Sequence, residues 1–187
     1  MVTGVQTCAL PISDAEAAKD GSTYVEDAGR GYRKVVPSPM PKEIVEKEAV
    51  RALVEADVLT ICSGGGGIPV VAEDGQYVGV EAVNDKDFSA RVLAENVDAD
   101  RLIILTGVDN IYINYNQPDQ KALEQISVAE AEEYIKEGHF AAGSMLPKIE
   151  AALDFVKGDD KRKAIITSIE NLENIDKEAG TVISQKG

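Results

Sequence analysis

The chain has no tryptophan, a single histidine and only two cysteines in 187 residues. Two cysteines, Cys8 and Cys62, make no disulfide framework, and Cys62 lies in an apolar run where a small core hydrophobe is the expected role. The lone His139 is expected to be structural rather than catalytic. No apolar run approaches membrane-spanning length, so a membrane partner is not expected. Positive charge is scarce: 19 Lys and Arg against 33 Asp and Glu give a net charge of −14. Nucleic-acid binding needs clustered cations, so that balance excludes it as the main activity. It suits a cytoplasmic protein kept apart by self-repulsion, in which any site for an anion is built from a few local cations.

What the chain does contain is a series of apolar runs separated by helical patterns. Residues 57–62, ending in Ile61-Cys62, and the runs Arg101-Leu102-Ile103-Ile104-Leu105-Thr106 and Lys163-Ala164-Ile165-Ile166-Thr167-Ser168 read as buried strands. The run at 101–106 suits a parallel strand covered on both faces. Ile111-Tyr112-Ile113-Asn114-Tyr115 and Gly180-Thr181-Val182-Ile183 add shorter strands, and residues 70–80, broken by Asp74-Gly75, read as a hairpin. A helix is expected from Pro41, with Ile44, Val45, Ala49, Ala52 and Leu53 on its apolar face. Another starts at Asp87, with Asp85 or Asp87 as N-cap and Phe88, Ala90, Val92 and Leu93 inward. Ser127-Val128-Ala129-Glu130 is a capping box, and a further helix runs to Phe155. Strands alternating with helices predict an α/β fold with a mostly parallel sheet.

The first 34 residues are different in character. Residues 1–12 lack the basic start, long apolar core and cleavage site of a secretory signal. They read like an in-frame translation of a sequencing-library adapter and are set aside as a non-native leader. Residues 13–30 are polar and acidic, with a short helical stretch at 14–19. Gly29-Arg30-Gly31-Tyr32-Arg33-Lys34-Val35-Val36-Pro37 then gathers cations beside glycines. It reads either as a turn into an edge strand that Pro37 ends, or as an anion-facing loop.

The chemistry centres on two neighbouring stretches and one distant lysine. Ser63, Gly64, Gly65, Gly66 and Gly67 follow an apolar run and offer bare backbone N–H groups to an anion. No Gly-Lys-Ser/Thr follows and the dinucleotide spacing fails, so neither common phosphate fingerprint applies. Lys86, between Asp85 and Asp87 at a helix start, can serve a phosphoryl group in transit while an Asp holds it. Phosphoryl transfer needs such cations more than it needs a base. Lys148, after Gly143-Ser144-Met145-Leu146-Pro147, can join helix-start N–H groups on a nucleotide phosphate. Asp109, beyond the strand ending at Thr106, can assist a magnesium-nucleotide directly or through water.

Together these motifs resemble carbamate kinase, within the amino-acid kinase superfamily. The resemblance is carried by Asp27-Ala-Gly-Arg-Gly-Tyr-Arg-Lys-Val-Val-Pro-Ser-Pro39, Ser63-Gly-Gly-Gly-Gly-Ile-Pro69, Val80-Glu-Ala-Val-Asn-Asp-Lys-Asp87 and Leu105-Thr-Gly-Val-Asp-Asn110. Asn114-Tyr-Asn-Gln-Pro-Asp-Gln120, Gly138-His-Phe140 and Gly143-Ser-Met-Leu-Pro-Lys148 complete it, in collinear order from Ser13 onward. It implies an amino-acid kinase-like α/β/α sandwich, a homodimer, and reversible transfer between ATP with carbamate and ADP with carbamoyl phosphate, with Mg2+, at the end of arginine breakdown. It implies Lys86 and Lys148 as phosphate-stabilising cations and Asp87 as their organiser. Residues 63–67 would lie beside the phosphates, and Thr106, Asp109, Tyr112, Tyr115 and Met145 would line the nucleotide pocket. Residues 13–85 would be the remnant of a substrate-side lobe with its protruding subdomain, and 86–187 the nucleotide lobe.

Asn84 and Leu146 depart from the family's usual aliphatic residue and glycine, without loss of a charged group. The family's opening strand, its Gly-Gly-Asn loop and a further lysine have no counterpart in the sequence. The resemblance therefore implies an N-terminally shortened chain that folds poorly, exposes a sheet edge and lacks kinase activity. The competing readings are another member of the superfamily acting on an acylglutamate or a nucleoside monophosphate, and a non-catalytic nucleotide-binding fragment.

Overall fold

A computed structural model describes residues 4–6, 13, 22–26 and 31–187. The helical stretch expected at 14–19, and residues 27–30 of the cationic motif, lie outside the described residues. The chain forms two compact units, one comprising Met1–Pro41 with Ser63–Lys86, the other Lys42–Cys62 with Asp87–Gly187.

The first unit is built from strands. β1 (Gly4–Gln6), β2 (Tyr24–Glu26) and β3 (Tyr32–Pro37) form an antiparallel sheet in the order β1-β3-β2. Pro37 does end β3, but β3 is the middle strand rather than an edge, because Gly4 to Gln6, within the leader set aside above, pair with its second half. β4 (Val70–Glu73) and β5 (Gln76–Gly79) form the expected hairpin. Its turn residues Asp74 (φ 48°) and Gly75 (φ 78°) are both left-handed, the two-residue geometry whose twist matches the flanking strands.

The second unit holds the core. β6 (Arg101–Thr106), β9 (Gln125–Ser127), β10 (Lys163–Ser168) and β11 (Thr181–Ser184) form one sheet in the order β6-β10-β11-β9. Pairs β6–β10 and β11–β9 are parallel and β10–β11 is antiparallel, so the sheet is mixed and mainly parallel, as expected. β7 (Ile111–Ile113) and β8 (Lys121–Leu123) pair as a separate ribbon. Among the described residues, four α-helices belong to or begin at this unit, α1 (Lys47–Glu55), α2 (Lys86–Asn96), α3 (Val128–Lys136) and α4 (Met145–Lys157), together with a 3-10 helix at Glu170–Lys177. Ile149, Ala152, Phe155 and Val156 of α4 pack with Ala164 and Ile166 of β10, Leu102 and Ile104 of β6 and Ile183 of β11. Most of these are fully removed from solvent, which makes α4 on β10 the centre of hydrophobic stabilisation.

Local chemistry explains the helix ends. α3 opens on the full capping box, Ser127 Oγ accepting from Glu130 N and the Glu130 carboxylate accepting from Ser127 N. α1, α2 and α3 all close with a left-handed residue, Asp57 (φ 63°), Asp98 (φ 53°) and Gly138 (φ 79°). In each, the next residue's N–H returns into the last turn: Val58 to Leu53 O, Ala99 to Ala94 O and His139 to Tyr134 O.

Five expectations are corrected. Residues 57–62 form no strand; they run as irregular chain with Leu59 96 % and Ile61 99 % exposed. Their apolar character demanded a neighbour on each edge, and no described strand supplies one. Cys62, at the end of that run, is consequently exposed rather than a core residue. β6 is buried on one face only: Leu102 and Ile104 point inward while Ile103 and Leu105 stay open to solvent. α1 begins six residues after Pro41, and of its apolar residues Val50 is buried while Leu53 is not, because packing rather than propensity sets how far a short helix extends. α2 starts at Lys86, so Asp87 lies within its first turn and Asp85 takes the preceding position.

Candidate functional site

The start of α2 and the start of α4 carry the most constrained charges of the second unit. Asp87 sits in the first turn of α2, where the helix dipole favours an anion, and its side chain is 8 % exposed. Lys148 sits in the first turn of α4, where the dipole disfavours a cation, and its side chain is 13 % exposed. Lys148 Nζ donates to Asp87 Oδ2 at 2.9 Å and to the Ser144 carbonyl at 3.4 Å. The carboxylate thus offsets both desolvation and dipole, and fixes the ammonium at a helix start. The N–H groups of Ser144, Met145 and Leu146 converge on the Ala141 carbonyl. This corrects the expectation that helix-start amides stand beside Lys148 ready for an anion; this end offers the ammonium, not an amide nest.

A second constellation lies where β6 and β10 end side by side, Thr106 being in register with Ser168. Ser168 Oγ donates to Asp109 Oδ1 at 2.6 Å, and Asn171 N donates to Ser168 Oγ at 3.2 Å. Asp109 is exposed while Ser168 is 2 % exposed, so a buried hydroxyl orients a solvent-facing carboxylate. The adjoining residues are pinned by Thr181, whose Oγ1 accepts from Ile111 N at 2.8 Å and donates to the Leu123 carbonyl. Asn110 Nδ2 donates to the same carbonyl at 3.2 Å. Carboxyl ends of parallel strands are where open α/β sheets take ligands. Ser168, Asn171 and Thr181 escaped the sequence reading. Ser168 ends an apolar strand as Thr106 does, and that parallel was the available signal.

Tyr112 and Tyr115 follow, their rings 5.9 Å apart and tilted by 46°. The Asn114-Tyr-Asn-Gln-Pro-Asp-Gln120 motif is a built loop. Asn114 and Asn116 are left-handed, Asn114 Nδ2 donates to Asp119 Oδ2 at 2.7 Å, and Asn116 N donates to Gln120 Oε1 at 2.8 Å. Asparagine tolerates that backbone conformation better than most residues, which accounts for the two asparagines. Met145 is the first residue of α4 and half-buried.

Within the first unit, Ser63 (φ 64°) and Gly64 (φ 120°) lead a tight turn closed by Gly67 N on Gly64 O at 3.3 Å. It follows irregular chain rather than a strand tip. A Cβ on Gly67 would fall 2.9 Å from Asn84 Nδ2, a contact that the Asn84 side chain can relieve by turning away. Lys86 is exposed at the first position of α2. His139 is tied to Glu137 at 3.0 Å and set edge-on to Tyr134, a structural placement. Among the described residues no group of three or more His, Cys, Asp or Glu could hold a metal by itself, and no helix is long and apolar enough to cross a membrane.

Residues 1–168 match the model of the amino acid kinase family, and the chain belongs to that family. Within it, the similarity is to carbamate kinases. The chain is 99 % identical over 175 residues to carbamate kinase 2 of Enterococcus faecalis, covering 94 % of this chain and 56 % of that protein. It is 56 % identical over 172 residues to carbamate kinase 1 of Enterococcus faecium, covering 91 % and 55 %. A solved carbamate kinase of Giardia lamblia bound to AMP-PNP superposes with a TM-score of 0.81 at 45 % identity, over 91 % of this chain and 54 % of that one. The chain spans about half the length of the relatives it matches.

Proposed function

We propose that this chain is part of a carbamate kinase that transfers a phosphoryl group reversibly between ATP and carbamate, giving ADP and carbamoyl phosphate. The observation that carries the reading is the 99 % identity to a carbamate kinase over 175 residues, supported by a lysine held at a helix start by a near-buried aspartate. In the forward direction a carbamate oxygen bonds to the γ-phosphorus, the bond from that phosphorus to the β–γ bridging oxygen breaks, and ADP leaves. Lys148 and Lys86 offset negative charge on the transferring oxygens, and Asp87 keeps Lys148 oriented. The turn at 63–67 offers backbone N–H groups to phosphate oxygens. Thr106, Asp109, Tyr112, Tyr115 and Met145 bound the nucleotide, an assignment that rests on the family resemblance. Asp109, already held by Ser168, would assist a magnesium-nucleotide directly or through water, and the metal would supply charge neutralisation on the phosphates. Residues 13–85 serve the acceptor side and 86–187 the nucleotide side. The complete enzyme works as a cytoplasmic homodimer in arginine breakdown, a reading that rests on the family resemblance.

A second reading concerns this polypeptide alone, which spans 56 % of its E. faecalis relative: it makes no ATP by itself. Both are tested by measuring ATP from carbamoyl phosphate and ADP. The purified chain is expected to give none. The E. faecalis enzyme with its matched region replaced by this sequence is expected to turn over and to lose activity on Lys148→Met. Turnover by the chain alone would overturn the second reading, and an inert replacement enzyme would overturn the first.

A further inference from the structure

The buried part of β10 is apolar through Ile166 and then turns polar at Thr167 and Ser168. A buried hydroxyl costs free energy unless its hydrogen bonds are made, and Ser168, 2 % exposed, makes two. Its Oγ accepts from the Asn171 backbone N–H at 3.2 Å and donates to Asp109 Oδ1 at 2.6 Å. A serine hydroxyl carries one proton and two lone pairs. Asn171, in the first turn of the 3-10 helix at Glu170–Lys177, occupies a lone pair, and the proton goes to the carboxylate. The bond is short, as a charge-assisted O–H to carboxylate contact should be. A serine that only tied down the 3-10 helix would need the Asn171 contact alone. The second contact reaches a carboxylate 59 positions away.

Asp109 is exposed, in the turn between β6 and β7. The hydroxyl occupies Oδ1, and no other hydrogen bond among the described residues reaches the carboxylate. The backbone just beyond is fixed as well, Ile111 N donating to Thr181 Oγ1 at 2.8 Å. Oδ2 is therefore left open to a ligand from a carboxylate that cannot swing freely. A carboxylate aimed at nucleotide phosphates repels them unless a cation lies between. Whatever Asp109 adds to nucleotide binding thus depends on magnesium, and so does whatever is added by the residue that aims it. We infer that Ser168 is a positioning residue of the nucleotide site, which acts through Asp109 to strengthen binding of the magnesium-nucleotide and leaves binding of the metal-free nucleotide unchanged. The inference rests on the carbamate kinase reading above and extends that site to the end of β10, which carries none of the family motifs.

The test uses the E. faecalis enzyme with its matched region replaced by this sequence, titrated calorimetrically with ADP, once with excess Mg2+ and once with EDTA. Ser168→Ala is expected to weaken binding about tenfold with Mg2+ and less than about twofold with EDTA. In an Asp109→Ala background the same substitution should change neither affinity, because the group that Ser168 aims is gone. Ser168→Cys, similar in size but a weak donor, should fall between the parent and Ser168→Ala, and it carries the comparison where the alanine variant fails to fold. A serine that merely supports the fold would weaken both forms of ADP alike, or would act equally with and without Asp109. Either result, or an affinity for MgADP that Ser168→Ala leaves unchanged, would overturn the inference. An unsubstituted enzyme that binds no ADP would overturn the proposed activity and this inference together, whereas one that binds ADP and is indifferent to Ser168→Ala overturns the inference alone.

Discussion

Lys148 is a residue whose position makes sense only through its partner. A lysine in the first turn of a helix is opposed by the helix dipole, and one left 13 % exposed is also partly desolvated. Removing it leaves the Asp87 carboxylate buried with that partner gone. Lys148→Met is expected to lower the unfolding free energy by ~3 kcal/mol, and Asp87→Asn with Lys148→Met to cost less than the sum of the two single changes, because the two charges are coupled. Urea titrations of the two single variants and the double variant measure this, and strictly additive losses would show that the pair is not coupled. Gly180 makes a steric counterpart. It sits at φ 126°, and a Cβ there would lie 2.6 Å from Thr167 Cβ and 2.7 Å from the Ile166 carbonyl, backbone of the central strand. Gly180→Ala should cost more than ~2 kcal/mol, whereas Gly143→Ala, which meets nothing within 4 Å, should be close to neutral. Thermal melts of the two variants separate the cases.

At the scale of elements, α3 shows how far local sequence reaches. The Glu130 carboxyl is held below its ordinary value first by the Ser127 backbone N–H and then by the Ser127 hydroxyl. A carboxyl whose folded pKa is lowered stabilises the folded state above the unfolded value, near 4.5, and that contribution fades as pH falls through the lower folded value. The stability gap between the parent chain and Glu130→Gln should therefore be full at pH 6–7 and close toward pH 3, as melts across that range would reveal. A gap independent of pH would assign the cap to geometry alone. This element was legible because its signal, Ser127 and Glu130 three residues apart, is complete within one turn. The β4–β5 hairpin was legible for the same reason, through Asp74-Gly75. Residues 57–62 were not, because an apolar run names a strand only if other strands arrive beside it, and that information is not local. The Lys148–Asp87 contact spans 61 positions, yet both residues stood out through the family motifs. Ser168 joins Asp109 across 59 positions and belonged to no such motif, so nothing local announced it.

At the scale of the whole molecule, stability is distributed unevenly, and amide exchange should map it. β10 lies between β6 and β11, its residues Ala164, Ile165 and Ile166 are fully buried, and α4 packs on it through Ile149 and Phe155. Opening those amides requires disrupting the core of the second unit, so they should exchange only through its global unfolding. The β4–β5 hairpin of the first unit has two strands and mostly exposed side chains, an arrangement that is marginal by itself in water. Its amides should exchange at least about a hundredfold faster than those of β10, through local opening. Leu59 and Ile61, in chain without strand partners among the described residues, should exchange faster still, near the rate of an unstructured peptide. Addition of urea should then accelerate β10 steeply and residues 59–61 hardly at all, since only the former's opening exposes new surface. Protection of residues 59–61 approaching that of β10 in the isolated chain would mean that their exposed face is already covered.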